Sequence, residues 1–142
     1  MNKKILVPID IGETNAGAAA LDMAKSVSRD QQGELILLNV LEPLPGYVTA
    51  QLPQEVLDTS RADAERRLEA IARENGVPEA RRILREGRAP QEILREAEEL
   101  DADLIVIASH DPRMSDYLLG SVAARVVRHA HCSVLVVRSR KS

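Results

Sequence analysis

The chain has 142 residues, a net charge of −3, 44% hydrophobic and 29% charged residues, one Cys, two Tyr and neither Trp nor Phe. Such a length suits one domain spanning 1–142, able to bury about 68–70% of its unfolded surface, and this balance excludes a disordered or fibrous chain. Two aromatic rings cannot build a stacking platform for single-stranded nucleic acid, and a mildly acidic chain offers a phosphate backbone no footprint, so no nucleic-acid partner is expected.

The opening "MNKKILVPID" has two lysines like a signal peptide, but Pro8 interrupts its apolar run and Asp10 stops it. No segment approaches the ~20 apolar residues that span a bilayer, so no membrane insertion is expected. The single Cys132 cannot form an internal disulfide. The expected location is the cytoplasm.

In chain order, "KILVPI" (4–9) predicts a strand buried on both faces, followed by a helix over 15–31 that Gly33 caps. "ELILLNV" (34–40) predicts the second strand. The connection over 42–53 carries Pro43, Pro45, Gly46 and Pro53; it reads as a variable loop or as a lid. A helix over 54–76 places Val56, Ala62, Leu68 and Ile71 near one side and stops at Gly76. "RRILRE" (81–86) is a more polar strand, suited to a sheet edge. The helix over 89–102 starts with Pro90 in its first turn and stripes Ile93, Leu94, Ala97 and Leu100. Strands over 103–109 and 133–138 flank a last helix containing 120–130. This alternation predicts an α/β fold: a three-layer, doubly wound, five-stranded parallel sheet with helices on both faces.

In such sheets ligands bind outside the carboxyl ends of the strands, where the strand order reverses. The polar groups concentrate in two loops there, "PIDIGETN" and "SHDPRMSDYLLGS". Gly120 and Ser121 stand at the amino end of the last helix, where free backbone N–H groups and the dipole favour an anion; plain capping would use the same pair. Asp10 ends the first strand and is placed to receive ribose hydroxyls or hold magnesium through water, although it would also serve as a cap. Pro8 has no N–H and suggests a bulge or an irregular edge facing a ligand. Val40 closes the second strand at the same edge, either as core or as a backbone partner for adenine.

His110 and Asp111 lie beside Ser109 without a nucleophile elbow, so no triad is read here. "HAHC" (129–132) matches no zinc spacing, and a His near a helix C-terminus has a dipole reason to be there. No catalytic residue and no resident protein-held metal are assigned.

Over nearly its whole length the chain resembles the universal stress protein family, in "ILVPID", "LLNV", "EGRAPQEILREAEELDADLIVIASH" and "LLGSVAARVVRHAHCSVLVVR". The resemblance implies a Rossmann-like sheet of the nucleotide-binding α-hydrolase type, a homodimer through the last strand and, in one branch, ATP with Mg2+. That branch carries a glycine, two residues, a second glycine, nine residues, then glycine with Ser or Thr. Here Ala108 and Asp111 replace the first two glycines and eight residues precede Gly120-Ser121. A carboxylate 4 Å from a phosphate costs about 1 kcal/mol in water and about 4 at an effective dielectric of 20, which magnesium or Arg113 would offset. The run "ASH", Pro, "YLLGS" is similar to a sub-branch that binds nucleotide.

By resemblance, Asp10 and Val40 serve ribose and adenine, with Pro8 and Ile9 also counted as nucleotide-binding; Ala108, Ser109 and His110 line the phosphate-side turn, and Gly120, Ser121 and Val122 donate amides to the β and γ phosphates. Arg113 is added on charge grounds. An unpaired "SVLVVR" edge would be an aggregation liability, which pairing with its own copy would cover. The implied function is a nucleotide-sensing regulator read by a transporter or metabolic enzyme. A nucleotide-free scaffold and a slow ATP hydrolase using His110 are the alternatives.

Overall fold

The structure, a computed structural model, describes residues 3–11, 14–109 and 119–138. Its elements are β1 (Lys4–Pro8), α1 (Thr14–Gln31), β2 (Glu34–Leu41), α2 (Gly46–Thr49), α3 (Gln54–Glu74), β3 (Arg81–Glu86), α4 (Ala89–Leu100), β4 (Leu104–Ala108), α5 (Ser121–His129) and β5 (Ser133–Val137). All strands pair in parallel, in the order β3-β2-β1-β4-β5. Each expected strand and helix is present with its ends shifted by two residues or fewer. The addition is α2, a single turn inside the proline-rich connection that buries none of its residues.

Because side chains alternate across a strand, the apolar runs feed two cores at once. Ile5, Val7, Leu35, Leu37 and Val106 pack with Ala20, Leu21 and Ala24 of α1 and Leu68 and Ala72 of α3. Leu6, Ile36, Leu38, Ile105 and Ile107 pack with Ile93, Ala97 and Leu100 of α4 and Ala123 and Val126 of α5. Two long helices therefore cover each face. The missing aromatics cause no shortage of core, since small Ala positions on the helices let them approach a sheet of Ile, Leu and Val closely.

Two local expectations are corrected. The left-handed residue ending α1 is Gln32 (φ 52), not Gly33. Gly33 is required by close approach instead: a Cβ there would lie 2.7 Å from Ile5 Cδ1 and 3.3 Å from the Lys3 carbonyl. The buried stripe of α3 is Ala64, Leu68 and Ala72, while Val56 is 48% exposed. With 21 residues, α3 is about 31 Å long against about 20 Å for the adjacent β3, so its first turns overhang the sheet.

The polarity of β3 also has a structural use. Arg85 forms ion pairs with Glu92, Glu96 and Glu99 of α4. Glu92 and Glu96 are only 7% and 4% exposed, on the flank of the stripe predicted to be apolar. Arg95 Nη1 donates to Glu92 Oε1 at 3.0 Å. Among the described residues, no helix is long and apolar enough to cross a membrane.

Candidate functional site

The strand order reverses at β1, whose neighbours β2 and β4 lead away in opposite directions. β1 is in register with β2 at five positions, Lys4↔Glu34 to Pro8↔Leu38. With β4 it is in register only at Ile5↔Leu104 and Leu6↔Ile105. Ile9 N–H donates to the Leu38 carbonyl at 2.7 Å, so the polar groups of Ile9 face β2 and, by alternation, those of Pro8 face β4. Proline has no N–H to give there. The expected irregularity is therefore not a bulge: register with β2 continues, and the missing donor falls where β1 and β4 have stopped pairing.

Around this opening the fold gathers the ends of three strands and one helix. Ile9 is buried and Asp10, the next residue, is exposed. Val40 is half-buried at the end of β2. Just before it Asn39 is 3% exposed, and its Nδ2 donates to the Ile9 carbonyl at 2.8 Å. Both polar groups of Ile9 are thus tied to β2, which fixes where the chain turns out at Asp10.

On the other side, half-buried Ala108 ends β4 opposite Val137, and Ser109, 5% exposed, donates its N–H to the Val137 carbonyl at 2.9 Å. The Ser109 carbonyl accepts the Gly120 N–H at 2.9 Å. That bond closes the neck of the long β4–α5 connection and brings the amino end of α5 beside the end of β4.

Gly120 is the buried N-cap of α5, with φ −57 and ψ 152 and no side-chain cap hydrogen bond. Ser121 is exposed and Val122 half-buried in the first turn. Ser121 is therefore not the capping residue. The first intrahelical bond is Ala124 N–H to the Gly120 carbonyl, leaving the preceding amides outside the helix ladder, at the end of a dipole worth roughly half a positive charge. His110, Asp111 and Arg113 lie outside the described residues.

Two groups of functional interest were missed by sequence reasoning. Asn39 was legible as the one polar residue inside "ELILLNV" after its first position. The burial of Glu92 and Glu96 had no local signal, because their partner Arg85 comes from another element. Among the described residues, no cluster of three or more His, Cys, Asp or Glu could hold a metal. Magnesium at this edge would thus rest on the ligand's own oxygens, with Asp10 the carboxylate at the end of β1.

A sequence model described as "Universal stress protein family" matches residues 1–138. Universal stress protein G of Shigella flexneri is 36% identical, over 97% of this chain and 100% of its own length. Universal stress protein A homolog 2 of Coxiella burnetii is 31% identical, over 99% of this chain and 97% of its own. Among solved structures, the hypothetical protein MJ0577 superposes with a TM-score of 0.82 at 28% identity, covering 100% of this chain and 99% of that one. UspA from Lactobacillus plantarum gives 0.74 at 27% identity, covering 96% and 97%. With the parallel five-stranded sheet already described, these matches establish that the chain belongs to the universal stress protein family.

Proposed function

We propose that this protein is an ATP-binding regulator of the stress response, acting as a cytoplasmic homodimer whose nucleotide occupancy is read by a transporter or metabolic enzyme. The observation that carries this reading is the end of β1–β4 pairing at Leu6↔Ile105 beside the amino end of α5, which no side chain caps. Amides at such a helix end suit phosphates. Gly120 brings no side chain between them and the ligand, and Ser121 adds a hydroxyl. Asp10, exposed just past the end of β1, suits ribose hydroxyls, while the backbone of Val40 suits a base edge. Mg2+, when bound, would neutralise charge between the phosphates. Ala108, at the end of β4, is not part of this helix end.

The dimer is supported by β5, which pairs with β4 alone and stands at the edge of the sheet. Val134, Leu135 and Val136 are only half-buried. An apolar edge of this kind needs a cover.

Calorimetric titration with magnesium ATP tests the site. Heat of binding is expected for the native protein and not for Gly120→Asp, which sets a carboxylate among the amides that would hold phosphate. The conformation of Gly120 lies in a region open to aspartate and Asp is a favourable N-cap, and a thermal melt of the variant checks that the fold is kept. Native protein that gives no heat at millimolar ATP would leave the scaffold reading in place.

A further inference from the structure

Among the described residues, two buried side-chain oxygens lack a hydrogen-bond donor, Asn39 Oδ1 and Glu96 Oε2. The second is in an ion pair with Arg85. The first has no such partner among the described residues, and it lies at the carboxyl edge. Asn39 follows Leu35 and Leu37 along one face of β2. Its Nδ2 bond to the Ile9 carbonyl decides which end of the amide is which, since exchanging the two would set oxygen against oxygen. Oδ1 is thereby left buried and without a donor among the described residues. Buried polar groups are paired as a rule, so an exception at the edge assigned to the nucleotide points to the ligand.

We infer that Asn39 Oδ1 accepts a hydrogen bond from a neutral N–H or O–H donor of the bound nucleoside, either the exocyclic amine of the base or a ribose hydroxyl. This rests on the nucleotide reading above, which assigns the base to Val40, the following residue, and the ribose to Asp10, which follows Asn39's partner Ile9. A carbonyl oxygen repels phosphate oxygens, so the triphosphate is not its partner. The bond to the Ile9 carbonyl accounts for Nδ2 and leaves Oδ1 to a donor from outside the core.

The test compares dissociation constants for ATP, purine riboside triphosphate, 2′-deoxy-ATP and 3′-deoxy-ATP on native protein and Asn39→Leu. Deleting the donor that Asn39 receives should weaken native binding by about fivefold more than it weakens binding to the variant. The analogue showing this excess names the base or the sugar as the source. Each ratio is taken within one protein, so general loosening from the lost bond to Ile9 divides out. Ratios equal in both proteins to within about twofold overturn the inference. Should Asn39→Leu fail to fold, the side-chain carbonyl 13C resonance of Asn39 in native protein decides: a downfield move on saturation with ATP supports it, and an unmoved resonance overturns it. Silence of native protein toward every nucleotide overturns the nucleotide reading as well, whereas firm binding with equal ratios overturns this inference alone.

Discussion

Arg85 on β3 and Glu96 on α4 are joined across the sheet–helix boundary by an ion pair whose carboxylate is only 4% exposed. Burial by itself would lower the Arg85 pKa, but the Glu99 hydrogen bond and the Glu96 charge outweigh it and hold the guanidinium above its usual range. Replacing Arg85 by Met strands the buried carboxylate of Glu96 and leaves Glu92 to Arg95. Breaking a buried pair typically destabilises by about 3–5 kcal/mol, and the partial exposure of Arg85 reduces this to about 2–3. Urea melts at pH 7 should show that loss. A variant that unfolds at the native urea midpoint would refute the account.

Glycine substitutions should separate along the chain by geometry. Gly87 has φ 149, and a Cβ there would lie 2.7 Å from Glu92 Cγ and 2.8 Å from its Oε1. Glu92 cannot swing away freely, because Arg85 and Arg95 both hold it. Gly87→Ala should therefore destabilise by about 1–3 kcal/mol. Gly46 opens α2, and a Cβ added there would meet nothing within 4 Å. Gly46→Ala should be neutral or stabilising by up to about 1 kcal/mol. Thermal melts of the pair check both signs.

Most of the architecture was legible because parallel strands buried on both faces are written as unbroken apolar runs such as "LIVIA", with amphipathic helices between them. The carboxyl-edge positions followed from topology alone, since Asp10, Val40 and Ser109 each stand at the end of a strand. What stayed hidden depends on contacts distant in sequence. No spacing shows that Arg85 will cross to Glu96, that Gly33 must clear Ile5, or that Asn39 will spend its amide on Ile9. The length of α3 was readable, but not that its first turns would outrun a six-residue neighbour.

The open edge of β5 can be tested without disturbing the sheet. The Val137 carbonyl faces β4, where it accepts the Ser109 N–H, so by alternation the polar groups of Val136 face outward. Val136→Pro removes an outward donor and leaves the β4 ladder its bonds, the one place where an edge strand tolerates proline. Sedimentation should show the native protein as a dimer and the variant as a monomer with unchanged helical circular dichroism. A variant that remains dimeric would move the interface away from this strand.

Cys132, just before β5, is half-buried, and burial, helped by the charge of Asp103, pushes its thiol above the ordinary range. The thiolate is the reactive form, so alkylation at pH 8 should be several-fold slower in folded protein than in urea. A raised folded-state pKa also contributes stability that is fully present below the unfolded value, near 8.5, and is lost as pH rises through the folded one. Native protein should therefore lose stability relative to Cys132→Ser between about pH 8 and pH 10, read from urea midpoints at each pH. Parallel pH profiles for the two proteins, or equal alkylation rates folded and unfolded, would show that the thiol is not shielded by the fold.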